Sequence, residues 1–99
     1  MHFKEIPPPL RRNAKEKMRI RKQPLGDKNI SGAKIEARRR EIGMKQGELL
    51  ASVQRQGISL NASGLSKIEG QLRTVNDYEL KVFADVLHVS VNYLLGIED

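Results

Sequence analysis

Eighteen lysines and arginines are the most abundant charged groups of this 99-residue chain, and the chemistry they offer is the binding of anions. They outnumber the twelve acids by six. Catalysis would need a nucleophile or a metal beside a positioned base, and candidates are few. There is no cysteine, which removes disulfides, thiolate metal sites and thiol nucleophiles together. His2 and His88 stand at opposite ends of the chain, Glu98 and Asp99 form a terminal acidic pair, and no Gly-Lys-Ser or Gly-Lys-Thr phosphate loop occurs. On these residues no enzyme, metal centre, cofactor or small-molecule ligand is expected.

The excess charge is uneven. Residues 1–30 carry nine bases (Lys4, Arg11, Arg12, Lys15, Lys17, Arg19, Arg21, Lys22 and Lys28) against three acids, whereas residues 31–99 carry nine of each. The expected organisation is therefore a basic N-terminal arm, 1–30, on an electrically balanced domain, 31–99. Basic arms bind nucleic-acid phosphates; a solvated tail is the plainer reading. Pro7, Pro8 and Pro9 set an extended spacer, and Pro24 with Gly26 interrupts the chain again. Between them Asn13 and Glu16 have capping spacing, and Leu10, Ala14, Met18 and Leu25 fall on one side of a helical projection. Residues 13–23 read equally as a helix formed with a partner or as a disordered arm. No apolar stretch approaches the roughly 18 residues of a spanning helix, and Met1 to Arg12 lacks the apolar core of a signal peptide, so a cytoplasmic protein is expected.

From residue 31 the pattern is all-α. With 38% hydrophobic residues, four aromatics and no tryptophan, one modest core is all the chain can bury. Ile35 and Ile42, seven apart, predict the inner face of a first helix from near Ser31 to Gly43. Leu49, Leu50 and Val53 predict a second over about 46–56. Asn61, Asn76 and Ser90 are candidate N-caps of three more, each flanked by an apolar pair: Leu60 with Leu65, Val75 with Leu80, and Val89 with Leu94. Gly70 and Gly96 are candidate stops.

Gly43-Met44-Lys45-Gln46-Gly47-Glu48-Leu49, Leu65-Ser66-Lys67-Ile68-Glu69-Gly70, Tyr78-Glu79-Leu80 and Leu87-His88-Val89-Ser90-Val91-Asn92-Tyr93-Leu94-Leu95-Gly96, in this order and spacing, resemble the Cro/CI-like (XRE) helix-turn-helix family of phage repressors and bacterial regulators. The likeness spans about residues 30–96. It implies a compact five-helix, lambda-repressor-like domain, with the third helix, 62–69, in the major groove of double-stranded DNA. It further implies a transcriptional regulator, a repressor, acting as a homodimer on a two-fold operator in the nucleoid. Tyr93, Leu94, Leu95 and Ile97 are the candidate dimer surface.

Carried onto this chain, the resemblance implies that Gln46 touches a phosphate and that Asn61, Ala62, Ser63 and Lys67 face the bases. Position 67 lies four after 63 and five after 62, so these side chains share one broad face opposite Leu65 and Ile68. Lys67 is the best direct reader, because an ammonium donates to guanine O6 and N7. Arg39 and Glu69 match positions that form a structural ion pair, and Arg73, Thr74 and Asn76 match a loop that contacts the phosphate backbone. Solvated charges on an ordinary helix and loop are the plainer alternative.

Three departures from the family pattern matter. Residues 54–60 hold a longer turn than in short-turn members, by about five residues, which would carry Arg55 toward phosphates or tilt the third helix. Leu50 replaces a small residue, which would widen the contact between the two helices. Lys45 replaces a capping Thr or Ser, accepts no hydrogen bond and opposes the helix dipole, a penalty that a nearby phosphate would relieve. Two rivals remain: a protein-binding helical module such as an antitoxin or regulator partner, and a basic segment that lies on anionic membranes.

Overall fold

The computed structural model describes residues 24–98, so the capping pair Asn13/Glu16 and the expected helical segment 13–23 lie outside the described residues. Five helices and no strand occur among them: α1 Gly32–Glu41, α2 Gln46–Arg55, α3 Ala62–Glu69, α4 Asp77–Leu87 and α5 Val91–Leu94. The all-helical expectation therefore holds. None of these helices is long and apolar enough to cross a membrane.

Capping sets where three of the five begin. Asn61 accepts from the Gly64 N–H at 2.7 Å, Asn76 from Glu79 at 3.0 Å, and Ser90 from Tyr93 at 2.9 Å. Glu79 completes a capping box by accepting from the Asn76 N–H. At α2 only half of this arrangement exists: Glu48 accepts from the Lys45 N–H at 2.7 Å, while Lys45, a donor only, caps nothing.

The helices close over one apolar core. Ile35 of α1, Leu49 and Val53 of α2, Leu65 and Ile68 of α3, Phe83 and Leu87 of α4 and Leu94 of α5 are fully buried. Leu50 packs against this core from its edge. α1 packs on α3, α4 and α5, and α2 packs on α3 and α4. Two expectations need correction. Ile42 is 38% exposed, because α1 ends at Glu41 and the chain leaves helical phase one residue before the seven-residue spacing could be used. Its inward place on the helix is taken by Arg39, four after Ile35 and 7% exposed. Leu94, proposed for a dimer surface, is a core residue; of that set only Ile97 is largely exposed, and the ring of Tyr93 lies under the Lys34 ammonium, 4.7 Å away.

The long turn after α2 is tied down. Ile58 and Leu60 are both buried, and the Gln54 side chain donates to the Leu60 carbonyl at 2.8 Å. The packed unit also begins before residue 31. Gly26 N–H donates to the Gly70 carbonyl at 2.8 Å, Lys28 N–H to Gln71 at 2.9 Å, and the Asn29 amide to the carbonyls of Ile68 and Arg73 at 3.1 and 2.8 Å. Residues 26–29 thus form a strap across the end of α3. Gly32 permits that approach, since a Cβ there would lie 1.9 Å from the Ile68 carbonyl oxygen.

All five helices end in the same paired turn of backbone bonds, with one residue in the left-handed region, the C-cap itself in α4 and the residue after the cap in the other four. Glycine fills that place at Gly43, Gly57 and Gly96, whereas Gln71 (φ 62°) and His88 (φ 60°) fill it after α3 and α4. A non-glycine residue there costs about 1–2 kcal/mol. His88 is exposed, and its side chain makes no hydrogen bond or ion pair among the described residues, so nothing in the fold offsets the strain. His88→Gly is expected to stabilise the domain by about 0.5–1 kcal/mol after the extra unfolded-state entropy of glycine. Thermal denaturation should show a midpoint raised by a few degrees.

Candidate nucleic-acid interface

α3 is short and two-sided. Leu65, Ile68 and Glu69 are buried, while Ala62, Ser63, Ser66 and Lys67 face outward beside the capping residue Asn61. The Asn61 oxygen is committed to the cap, which leaves its amide NH2 as the group free to face outward. Ser66 belongs to this face although it was not singled out from sequence; it lies three residues after Ser63 and four after Ala62, which is the available signal. Lys67 has no ion-pair partner among the described residues.

The inner side of α3 is fixed by charge. Arg39 of α1 meets Glu69 in a two-pronged pair, Nε to Oε2 at 2.7 Å and Nη2 to Oε1 at 3.0 Å, with side-chain exposures of 9% and 2%. The third guanidinium nitrogen donates to the Met44 carbonyl at 3.0 Å. Gln46, in the first turn of α2, donates to Glu69 Oε1 at 3.0 Å, and its own amide oxygen accepts from Ser66 Oγ at 3.5 Å. One buried carboxylate therefore joins α1, α2 and α3. The Gln46 amide nitrogen has two protons, and one remains for an outside acceptor.

The other named bases divide into two groups. Arg73 grips Glu79, which is nearly buried, through Nη1 at 3.3 Å and Nη2 at 3.2 Å, and also donates to the Thr74 carbonyl. With Asn76 occupied in the capping box, the Arg73, Thr74 and Asn76 loop is held mainly by its own bonds. Arg38 and Arg40 pair with Glu41 and Glu36, and Lys81 with Asp85. By contrast Lys45, Arg55 and Lys67 are exposed and have no carboxylate partner among the described residues; Arg55 reaches only Ser52 Oγ, at 3.2 Å. Of the nine bases from residue 31 onward, four have no carboxylate partner among the described residues: Lys34 of α1, whose ammonium lies over the Tyr93 ring, and Lys45, Arg55 and Lys67, which stand on α2, on α3 or at the residue that precedes α2. The first turn of α2 is also uncluttered, since Gly47 has open space where a side chain would stand. Among the described residues no group of three or more His, Cys, Asp or Glu is placed to hold a metal.

Removing either member of the Arg39–Glu69 pair strands a buried charge, a loss of about 3–5 kcal/mol. A cycle of Arg39→Met, Glu69→Leu and the double variant, followed by denaturant unfolding, should give a coupling above roughly 1 kcal/mol. Additive losses would mean that the pair contributes nothing specific.

Comparison of the chain with family models, with curated proteins and with solved structures finds no match.

Proposed function

We propose that this protein is a sequence-specific DNA-binding transcriptional regulator of the helix-turn-helix kind. It acts as a repressor, with α2 and α3 as the motif and α3 in the major groove. The observation that carries the reading is the division of charge. α3 offers an outward face of Ala62, Ser63, Ser66 and the uncommitted Lys67, while its inner face is locked to α1 and α2 through Glu69. A helix reads base edges reproducibly only when its rotation and depth are set by the rest of the domain, and small side chains let its backbone approach the groove floor. Lys45, Gln46 and Arg55 lie on the partner helix or at its start, where phosphates flanking the groove would pass. Arg73 contributes less, because its guanidinium is engaged by Glu79, while the Thr74 hydroxyl and the Asn76 amide NH2 remain for a phosphate. The lambda-repressor-like arrangement and a homodimer on a two-fold operator belong to the same proposal, and binding alone suffices to occlude a promoter.

Exposed apolar side chains favour one second reading. Leu25, Ile30 and Leu72 are 44%, 69% and 46% exposed beside the strap, as a protein-binding module would have. Salt separates the two readings. DNA affinity falls steeply with ionic strength, whereas the domain's affinity for a protein partner through apolar contacts does not.

Lys67→Ala should cost about 1–3 kcal/mol on a selected operator and much less on random duplex, measured by fluorescence anisotropy. An equal loss on both would reassign Lys67 to a phosphate contact. The excess charge lies entirely within residues 1–23, which carry eight bases and two acids. Neutralising Arg11, Arg12, Lys15, Lys17, Arg19, Arg21 and Lys22 to glutamine should make the slope of log K against log salt shallower by several units, with operator preference retained. An unchanged slope would show that the arm does not touch DNA.

A further inference from the structure

We infer that Asn29 and Gln71 are positioning residues that fix where the basic N-terminal segment leaves the domain, beside the C-terminal end of α3. The inference rests on the DNA-binding reading and extends it to the arm.

Gln71 is the first observation. It stands in the left-handed place that closes α3, where three of the other four helices carry glycine. His88 holds the same backbone place with a side chain that bonds to nothing among the described residues, whereas the side chain of Gln71 is engaged at both ends. That side chain bridges two segments: its Nε2 donates to the Gly26 carbonyl at 3.1 Å, and its Oε1 accepts from the Ala33 N–H at 3.2 Å. Its backbone carbonyl accepts from Lys28. Asn29 is the second observation. Its amide donates to the carbonyls of Ile68 and Arg73, and its oxygen accepts from the Gly32 N–H at 2.7 Å, so all three of its bonds hold the strap between α1 and the end of α3.

The strap, residues 26–29, holds one base, Lys28, and one acid, Asp27, so it adds no net charge. What it adds is geometry. The nearest of the eight bases of residues 1–23, Lys22, stands two residues before Pro24, so the strap tethers them at the helix proposed to occupy the groove. A tether of fixed origin raises the effective concentration of the arm at the neighbouring phosphates, whereas a loose origin spreads the same charges over a larger volume. Releasing the strap should therefore lower affinity while leaving the number of phosphate contacts, and hence the salt slope, unchanged.

Gln71→Gly is the informative variant, because it removes the side-chain bridge and relieves the backbone at the same position, which protects the fold. Asn29→Ala is a second, made with circular dichroism as a folding control. In the full chain, each should weaken operator binding about 3- to 10-fold at a preserved salt slope. In the full chain whose seven arm bases are glutamine, the same changes should weaken it less than about 2-fold. Equal losses in both backgrounds would show a merely structural role and overturn the inference, as would no loss in either. Spin labels at Leu25→Cys and Lys81→Cys, unique because the chain has no cysteine, give a readout that needs no DNA. A narrow distance distribution that broadens with Gln71→Gly supports the strap as a fixed origin; one that Gln71→Gly leaves unchanged overturns it. Absence of salt-dependent DNA binding by the unaltered chain would instead overturn the functional reading, with the label distances still deciding the strap.

Discussion

The carboxylate of Glu69 is the constraint on which the rest of the domain depends. It sits almost without solvent at the end of α3, and each of its oxygens accepts from the Arg39 guanidinium, while one also accepts from Gln46. Apolar packing alone would leave an eight-residue helix free to roll about its own axis, since Leu65 and Ile68 present little more than a narrow ridge. A two-pronged ion pair with fixed fork geometry removes that freedom, because rotation of α3 would pull a buried anion off its cation. The orientation of the outward face is thus decided on the inward one.

The fold was largely legible because its signals are local. Leu49 and Val53, Leu65 and Ile68, and Phe83 and Leu87 recur at helical spacing, and Asn61, Asn76 and Ser90 each cap within three residues. Ile42 was misread because a seven-residue spacing predicts burial only if the helix lasts that long. Of the interface, the outward face of α3 follows from the spacing of Ala62, Ser63 and Lys67 once Leu65 and Ile68 are placed inside. What could not be read is the commitment of each base. Arg73 and Lys67 look alike in a string of letters, yet one is tied to a carboxylate six residues on and the other is not. The strap was equally invisible, since side-chain bonds to backbone atoms 38 to 45 residues away leave no periodic trace, and Gln71 occupies a place where sequence patterns look for glycine.

Charge balance and charge availability are therefore different properties of this domain. The arginines of α1, Arg73, and Lys81 of α4 are paired with acids of the domain and Lys34 lies over the Tyr93 ring, which leaves Lys45, Arg55 and Lys67 as the uncommitted set on α2 and α3. A modest domain can in this way be neutral in sum and still present a directed electrostatic surface. The net excess of the sequence lies apart from that surface, within residues 1–23.

The capping of α1 has a consequence for how the domain opens. Ser31 gives this helix no side-chain cap; its first-turn amides at Gly32 and Ala33 are satisfied by Asn29 and by Gln71, 38 residues further along the chain from Ala33. The first turn of α1, the strap and the end of α3 hence share bonds that are broken together, and they constitute one cooperative unit of local unfolding assembled from two distant stretches of chain. The N–H groups of Gly26, Lys28, Gly32 and Ala33 all donate within that one closed state, so a ligand that held the end of α3 still would also slow the fraying of the helix that precedes it.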